Sequence, residues 1–154
     1  MAMRKRYKGS KDEVRALSAY VKLMRATESV TSRIHTHLAD AGLTVSQFGA
    51  LEALYHLGPM TQKEIAKKIL KSTGNITMVI DNLEKRELVR RERDIDDRRS
   101  FVVHLTDNGY ALIDEIFPNH AEIIMKEFGV LNKTEQEQLA RLCKKLGMGI
   151  GGNK

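Results

Sequence analysis

The 154-residue chain has no tryptophan, one cysteine and two prolines, and aromatic residues make up only 5% of it. A lone cysteine, Cys143, excludes an intrachain disulfide and a cysteine-based zinc knuckle within one chain. With few rings available, the core has to be built from Leu, Ile, Val, Met and Ala, as helical proteins manage. No stretch approaches the roughly 20 apolar residues that span a bilayer, and the N-terminal segment lacks the apolar centre of a signal peptide. No membrane partner is therefore expected, and the expected location is cytoplasmic. There is no glycine-rich phosphate loop after a strand, no nucleophile paired with a base and no metal triad, so the sequence does not read as an enzyme and calls for no cofactor. His35 and His37 stand two apart on a helix and point in different directions, which is the wrong spacing for a chelating pair.

The remaining composition is that of one soluble domain, 42% apolar and 30% charged. A formal charge of +6 and a pI near 9.5 favour a polyanionic partner such as nucleic acid. Residues 1–11 hold Arg4, Lys5, Arg6, Lys8 and Lys11 with no acid, and read as a flexible basic tail. From Asp12 to Asp40 apolar residues recur at three- and four-residue steps (Val14, Leu17, Val21, Met24, then Val30, Ile34, Leu38) and Gly42 closes the run. So long a helix has more apolar stripe than a domain of this size can cover, and a second subunit is its expected partner.

Three shorter helices follow. Thr44 with Gln47 and Thr61 with Glu64 match the capping-box spacing, and Ser72 is placed to cap the third, whose stripe is Ile76, Val79, Ile80 and Leu83. A tight turn at Lys71–Ser72 between two short amphipathic helices is a helix-turn-helix. The period then changes: Leu88 to Arg93 and Ser100 to Leu105 alternate as strands around an Asp94-Ile95-Asp96-Asp97 turn, forming a wing. Thr106 caps a further helix with a bend expected at Pro118, and Thr134 with Glu137 is the expected cap of the last. The fold class is mainly α with a small β-hairpin wing. A winged helix-turn-helix over 44–106 sits within a single domain over 12–154, and the helices of both chain ends, 12–41 and 107–147, supply a dimerisation region.

These elements resemble the multiple-antibiotic-resistance regulator (MarR) family. The resemblance is carried by Leu43-Thr44-Val45-Ser46-Gln47-Phe48, by Asp81, Leu83-Glu84-Lys85 and Leu88-Val89, by Asp97-Arg98-Arg99, and by Leu105-Thr106 with Gly109. It implies a homodimeric transcriptional regulator, a repressor on a palindromic operator in double-stranded DNA, responsive to a small-molecule effector of aromatic or phenolic character. The alternative is a winged-helix module for protein or RNA. With its inward stripe assigned, the recognition helix presents Ser72, Thr73, Asn75, Thr77 and Met78, Ser72 serving as cap, as DNA contact, or as both. Asn75 suits an adenine edge and Met78 a thymine methyl. The family often carries Arg where this chain has Met78 and Asn82, so its base contacts do not transfer. From the wing, Arg91, Arg93, Arg98 and Arg99 are candidate DNA contacts; the resemblance assigns Asp97 to brace Arg99. Peroxide-sensing members carry a cysteine near the start of the first long helix, where this chain has none, and Cys143 reads as a packed interface thiol. The effector cleft implied by the family points to Ile34, His35, Leu38, Leu51 and Tyr55, all of which read equally well as core.

Overall fold

Helix α1 (Lys11–Asp40) begins where the Ser10 hydroxyl accepts from the Glu13 amide and the Glu13 carboxylate accepts from the Ser10 amide. The computed structural model describes residues 7–69 and 73–152. Lys11 is thus helical and Ser10 its cap, so the helix starts earlier than the basic composition suggests; the Tyr7 hydroxyl donates to Glu13 at 2.7 Å and extends the cap outward. At the other end Gly42 takes a φ of +74°, and the Leu43 and Gly42 amides return to the carbonyls of Leu38 and Ala39. Buried Leu38 and Leu43 complete this left-handed stop.

The capping boxes at Thr44 and Thr61 form. They open α2 (Val45–Leu57) and α3 (Gln62–Ile69). Helix α4 (Thr73–Lys85) follows; Ser72, read above as its cap, lies outside the described residues. Strands β2 (Val89–Arg93) and β3 (Phe101–Leu105) form the expected hairpin, in the register Val89↔Leu105, Arg91↔Val103 and Arg93↔Phe101. A two-residue strand, β1 (Met60–Thr61), adds to the other side of β3, giving the antiparallel order β1-β3-β2. It was not foreseen, because two residues are too few to show a period.

Helix α5 (Asp107–Phe128) is tied to the end of α4. The Thr106 hydroxyl accepts from the Gly109 amide and donates to the Glu87 carbonyl at 2.6 Å, while the Thr106 amide donates to the Leu88 carbonyl. Gly109 is required there, since a Cβ would stand 2.2 Å from the Leu88 carbonyl oxygen. The helix runs unbroken through Pro118, although that residue has no N–H for the Asp114 carbonyl. Helix α6 (Lys133–Met148) starts one half-turn earlier than Thr134: Asn132 and Glu135 form the capping box, with both bonds at 2.9 Å. Asn is the stronger cap, and the earlier start lets Gln136 cover the carbonyls of Phe128 and Leu131.

The core lies where α2, α3, α4, α5 and the sheet meet, and contains Leu51, Leu54, Ile65, Ile76, Ile80, Leu83, Val103 and Ile113. Both chain ends fall outside it. Of α1 only Leu38 is buried, and α6 buries nothing. Val14, Leu17, Val21 and Met24 on α1 and Leu142 and Leu146 on α6 are exposed, as is Cys143, which is not packed within its own chain.

Helix α4 ends in the same motif as α1, with the Leu88 and Glu87 amides bonded to the carbonyls of Leu83 and Glu84, but its left-handed residue is Glu87 at φ 59°. A side chain there is strained where glycine is not. Glu87→Gly is expected to raise the unfolding free energy by about 0.5–1 kcal/mol, the relief of strain outweighing the added chain entropy of glycine. Chemical denaturation of both proteins measures it.

Candidate nucleic-acid interface

Helix α4 turns Ile76, Ile80 and Leu83 into the core, which leaves Met78 exposed on the opposite side, at 67%, with Asn75 and Thr77 exposed on the two flanks. Thr73 opens the helix. Gln62 of α3 reaches across to the Thr77 hydroxyl at 3.4 Å, so the two helices are joined by a polar contact beside the exposed face.

Within the wing the arginines divide into two kinds. Arg91 stands on the face of β2 that carries buried Val89, and its side chain is only 16% exposed. Its Nε donates to Gln62 Oε1 at 2.7 Å, one terminal nitrogen meets Asp81 Oδ1 at 2.6 Å and the Thr77 carbonyl at 3.4 Å, and the other meets Glu84 Oε1 at 3.2 Å. The Arg91 amide donates to the second oxygen of Glu84. One guanidinium thus fastens β2 to α3 and α4. Its place in the wing makes Arg91 a candidate DNA contact; in the structure its guanidinium is turned into the protein and bonded there. Arg93 is partly committed as well, donating to the Arg98 carbonyl at 2.9 Å and lying over the Phe101 ring at 5.5 Å.

Arg98 and Arg99 are the outward kind. The Arg99 side chain is 93% exposed, and Asp97 Oδ1 accepts from its amide at 3.0 Å and from its Nε at 3.4 Å. The second Asp97 oxygen accepts from the Ser100 hydroxyl. An exposed pair of this kind adds little stability. It aims the guanidinium. The result is a polar helix face and an arginine-tipped hairpin held rigidly beside one another, a shape suited to adjacent grooves of a nucleic-acid duplex.

Comparison with known proteins agrees with that geometry. The MarR family model matches residues 43–101. The regulator MhqR of Bacillus subtilis (strain 168), an HTH-type transcriptional regulator, is 35% identical over 134 residues, covering 87% of this chain and 92% of that protein. The chain belongs to the MarR family. Among solved structures, that of Bordetella bronchiseptica BpsR, described for the regulation of its DNA binding by 6-hydroxynicotinic acid, superposes with a TM-score of 0.77 at 29% identity, covering 84% of this chain and 98% of that one. The MarR regulator Sco3205 of Streptomyces coelicolor, solved with DNA, has the same fold, with a TM-score of 0.80 at 23% identity over 92% of this chain and 93% of that one.

In this MarR-family chain the residues suggested for an effector cleft do not form one set. Leu38 and Leu51 are fully buried core residues, Ile34 packs against them, and His35 is exposed. Tyr55 is engaged by a hydrogen bond from its hydroxyl to Asp114 at 2.6 Å, which raises its pKa. Beside it lies a cluster the sequence did not reveal. His120 of α5 packs 4.4 Å from the Phe48 ring and 5.8 Å from both Phe117 and His37, and His37 contacts Asn119. Burial, then the neighbouring His37, pushes the His120 pKa down, and the buried His37 Nε2 and His120 Nδ1 have no hydrogen-bond partner in the structure. The contributors come from α1, α2 and α5, so no local spacing announces them. Among the described residues no group of three or more His, Cys, Asp or Glu is placed to hold a metal ion.

The division of the arginines has a direct thermodynamic consequence. Arg91→Ala is expected to lower the unfolding free energy by about 1.5–3 kcal/mol, the range for hydrogen bonds to charged groups. Arg99→Ala should stay within about 0.5 kcal/mol of the parent. Equal losses in urea denaturation would contradict the assignment.

Proposed function

We propose that the protein is a cytoplasmic transcriptional regulator, a repressor that binds a palindromic operator as a homodimer and responds to a small aromatic or phenolic ligand. The observation that carries the reading is the rigid pairing of an exposed polar α4 face with a hairpin whose tip displays Arg98 and Arg99. Helix α4 enters the major groove with Asn75, Thr77 and Met78 reaching the duplex, and the wing lies along the adjacent minor groove. The exposed stripes of α1 and α6 close the two-fold interface, which sets two recognition helices about 34–36 Å apart, one duplex turn. No helix among the described residues is long and apolar enough to cross a membrane, and the relatives that match over most of the chain are regulators of transcription.

For the ligand, the support is the ring cluster where α1, α2 and α5 meet. The buried, unpartnered nitrogens of His37 and His120 stand among the packed rings of Phe48 and Phe117, a match to a ring bearing hydroxyl or carboxylate groups once the cluster parts to admit it. BpsR, a structural neighbour, has its DNA binding regulated by 6-hydroxynicotinic acid, which supports a ligand of this kind.

The test is a salt titration on an operator selected from fragmented genomic DNA and on random duplex. Arg99→Ala should weaken both complexes and lower the salt slope by about one unit. Asn75→Ala should cost roughly 1–3 kcal/mol on the operator and little on random DNA. A hydroxylated aromatic acid should shift the operator titration of the parent and not that of His120→Phe. A protein that sediments as a monomer and shows no preference among the selected fragments would remove the reading.

A further inference from the structure

The wing tip has a charge balance that a purely Coulombic grip on DNA does not explain. Between Arg93 and Arg99 the three arginines are matched by Asp94, Asp96 and Asp97. At the centre of this neutral tip stands Ile95, 94% exposed. Isolated surface apolar residues are ordinary, but a β-branched residue in a tight turn runs against the preference for Gly, Asn, Asp and Ser. The turn around it is built to hold its shape without it. Asp94 Oδ1 accepts from the Asp96 amide at 3.0 Å across Ile95, the Asp94 amide donates to the Ser100 carbonyl, and the Ser100 amide donates to the Asp97 carbonyl. Asp94 and Asp97 are thereby occupied with the hairpin's own amides and with Arg99. What the braced loop projects is one apolar side chain with guanidinium groups close by.

We infer that Ile95 is the wing's apolar contact with the minor groove, packing on its deoxyribose walls beside the arginines of the tip. The inference rests on the regulator reading and deepens it by naming the residue that holds the wing in the groove. Minor-groove proteins use apolar side chains in this way, and the groove walls are the apolar part of the duplex surface. Excluding water from the tip also strengthens the Arg–phosphate contacts at its edge. Because its side chain is uncharged, the contribution of Ile95 leaves the salt slope unchanged, unlike that of Arg99.

The experiment compares the parent, Ile95→Ser and Ile95→Leu on the selected operator across a salt series. Ile95→Ser is expected to weaken binding roughly ten-fold, as the loss of a partly buried aliphatic side chain implies, with the salt slope unchanged, and Ile95→Leu to retain most of the affinity. A second operator carries 2,6-diaminopurine for adenine where the wing lies, which adds an amino group to the minor groove and leaves the major-groove pattern intact. That operator should weaken the parent and Ile95→Leu more than Ile95→Ser, which keeps only the arginines of the tip in the groove. Equal affinity of Ile95→Ser and the parent on the unmodified operator overturns the inference while leaving the regulator reading standing, and so does a loss that comes with a changed slope. Failure of the parent to prefer the operator at all would overturn the regulator reading itself.

Discussion

A single guanidinium ties the wing to the helices beside it. Two five-residue strands joined by a turn are marginal on their own. Arg91 reaches from the middle of β2 to Gln62 of α3 and to Thr77, Asp81 and Glu84 of α4, and so makes the hairpin and the recognition helix one body. The Arg fork suits this role, with planar donors that meet several acceptors at once, which a lysine cannot reproduce. The bonds from Thr106 to Glu87 and Leu88 fix the far end of the same junction, where α5 leaves the sheet. A displacement of α5 thus has a short covalent and hydrogen-bonded route to the DNA-facing surface, which is where the ring cluster at His120 would act.

The division of labour along the chain follows from where apolar surface finds a partner. The central helices and sheet satisfy each other. The ends do not: α1 has exposed Leu17, Val21 and Met24, and α6 has exposed Leu142 and Leu146. Apolar stripes left on water at both ends of one chain are most simply closed by a second copy, and the same closure sets the distance between the two DNA-facing surfaces. Cys143 lies on one of those end helices and is exposed in the single chain.

Most of the fold was legible because it is written in local rules. Helical periods, the boxes at Thr44 and Thr61, the stop at Gly42 and the switch to a two-residue period after Glu87 each depend on a few neighbouring residues. The start of α6 was misplaced because Asn132–Glu135 and Thr134–Glu137 both satisfy the capping spacing and only the better cap forms. Helix α1 starts at Lys11, one residue before the Asp12 that the period indicates. Within the site, composition treats Arg91 and Arg99 alike. A signal did exist: Val89 and Arg91 share one face of β2, and Asp81 and Glu84 share one face of α4, which together point Arg91 inward. The ring cluster had no such signal, since His37 and Asn119 stand 82 residues apart.

The central claim, that α4 and the wing engage neighbouring grooves as one body in each subunit, is tested most directly by footprinting on the selected operator. Methylation protection reports the major groove at guanine N7, and hydroxyl-radical cleavage reports the sugars that line the minor groove. The account predicts two major-groove protections one helical turn apart, each flanked on its outer side by protected minor-groove sugars, with both signals appearing at the same protein concentration. Major-groove protection with fully cleaved flanks would show that the wing stays in solvent and contradict the account.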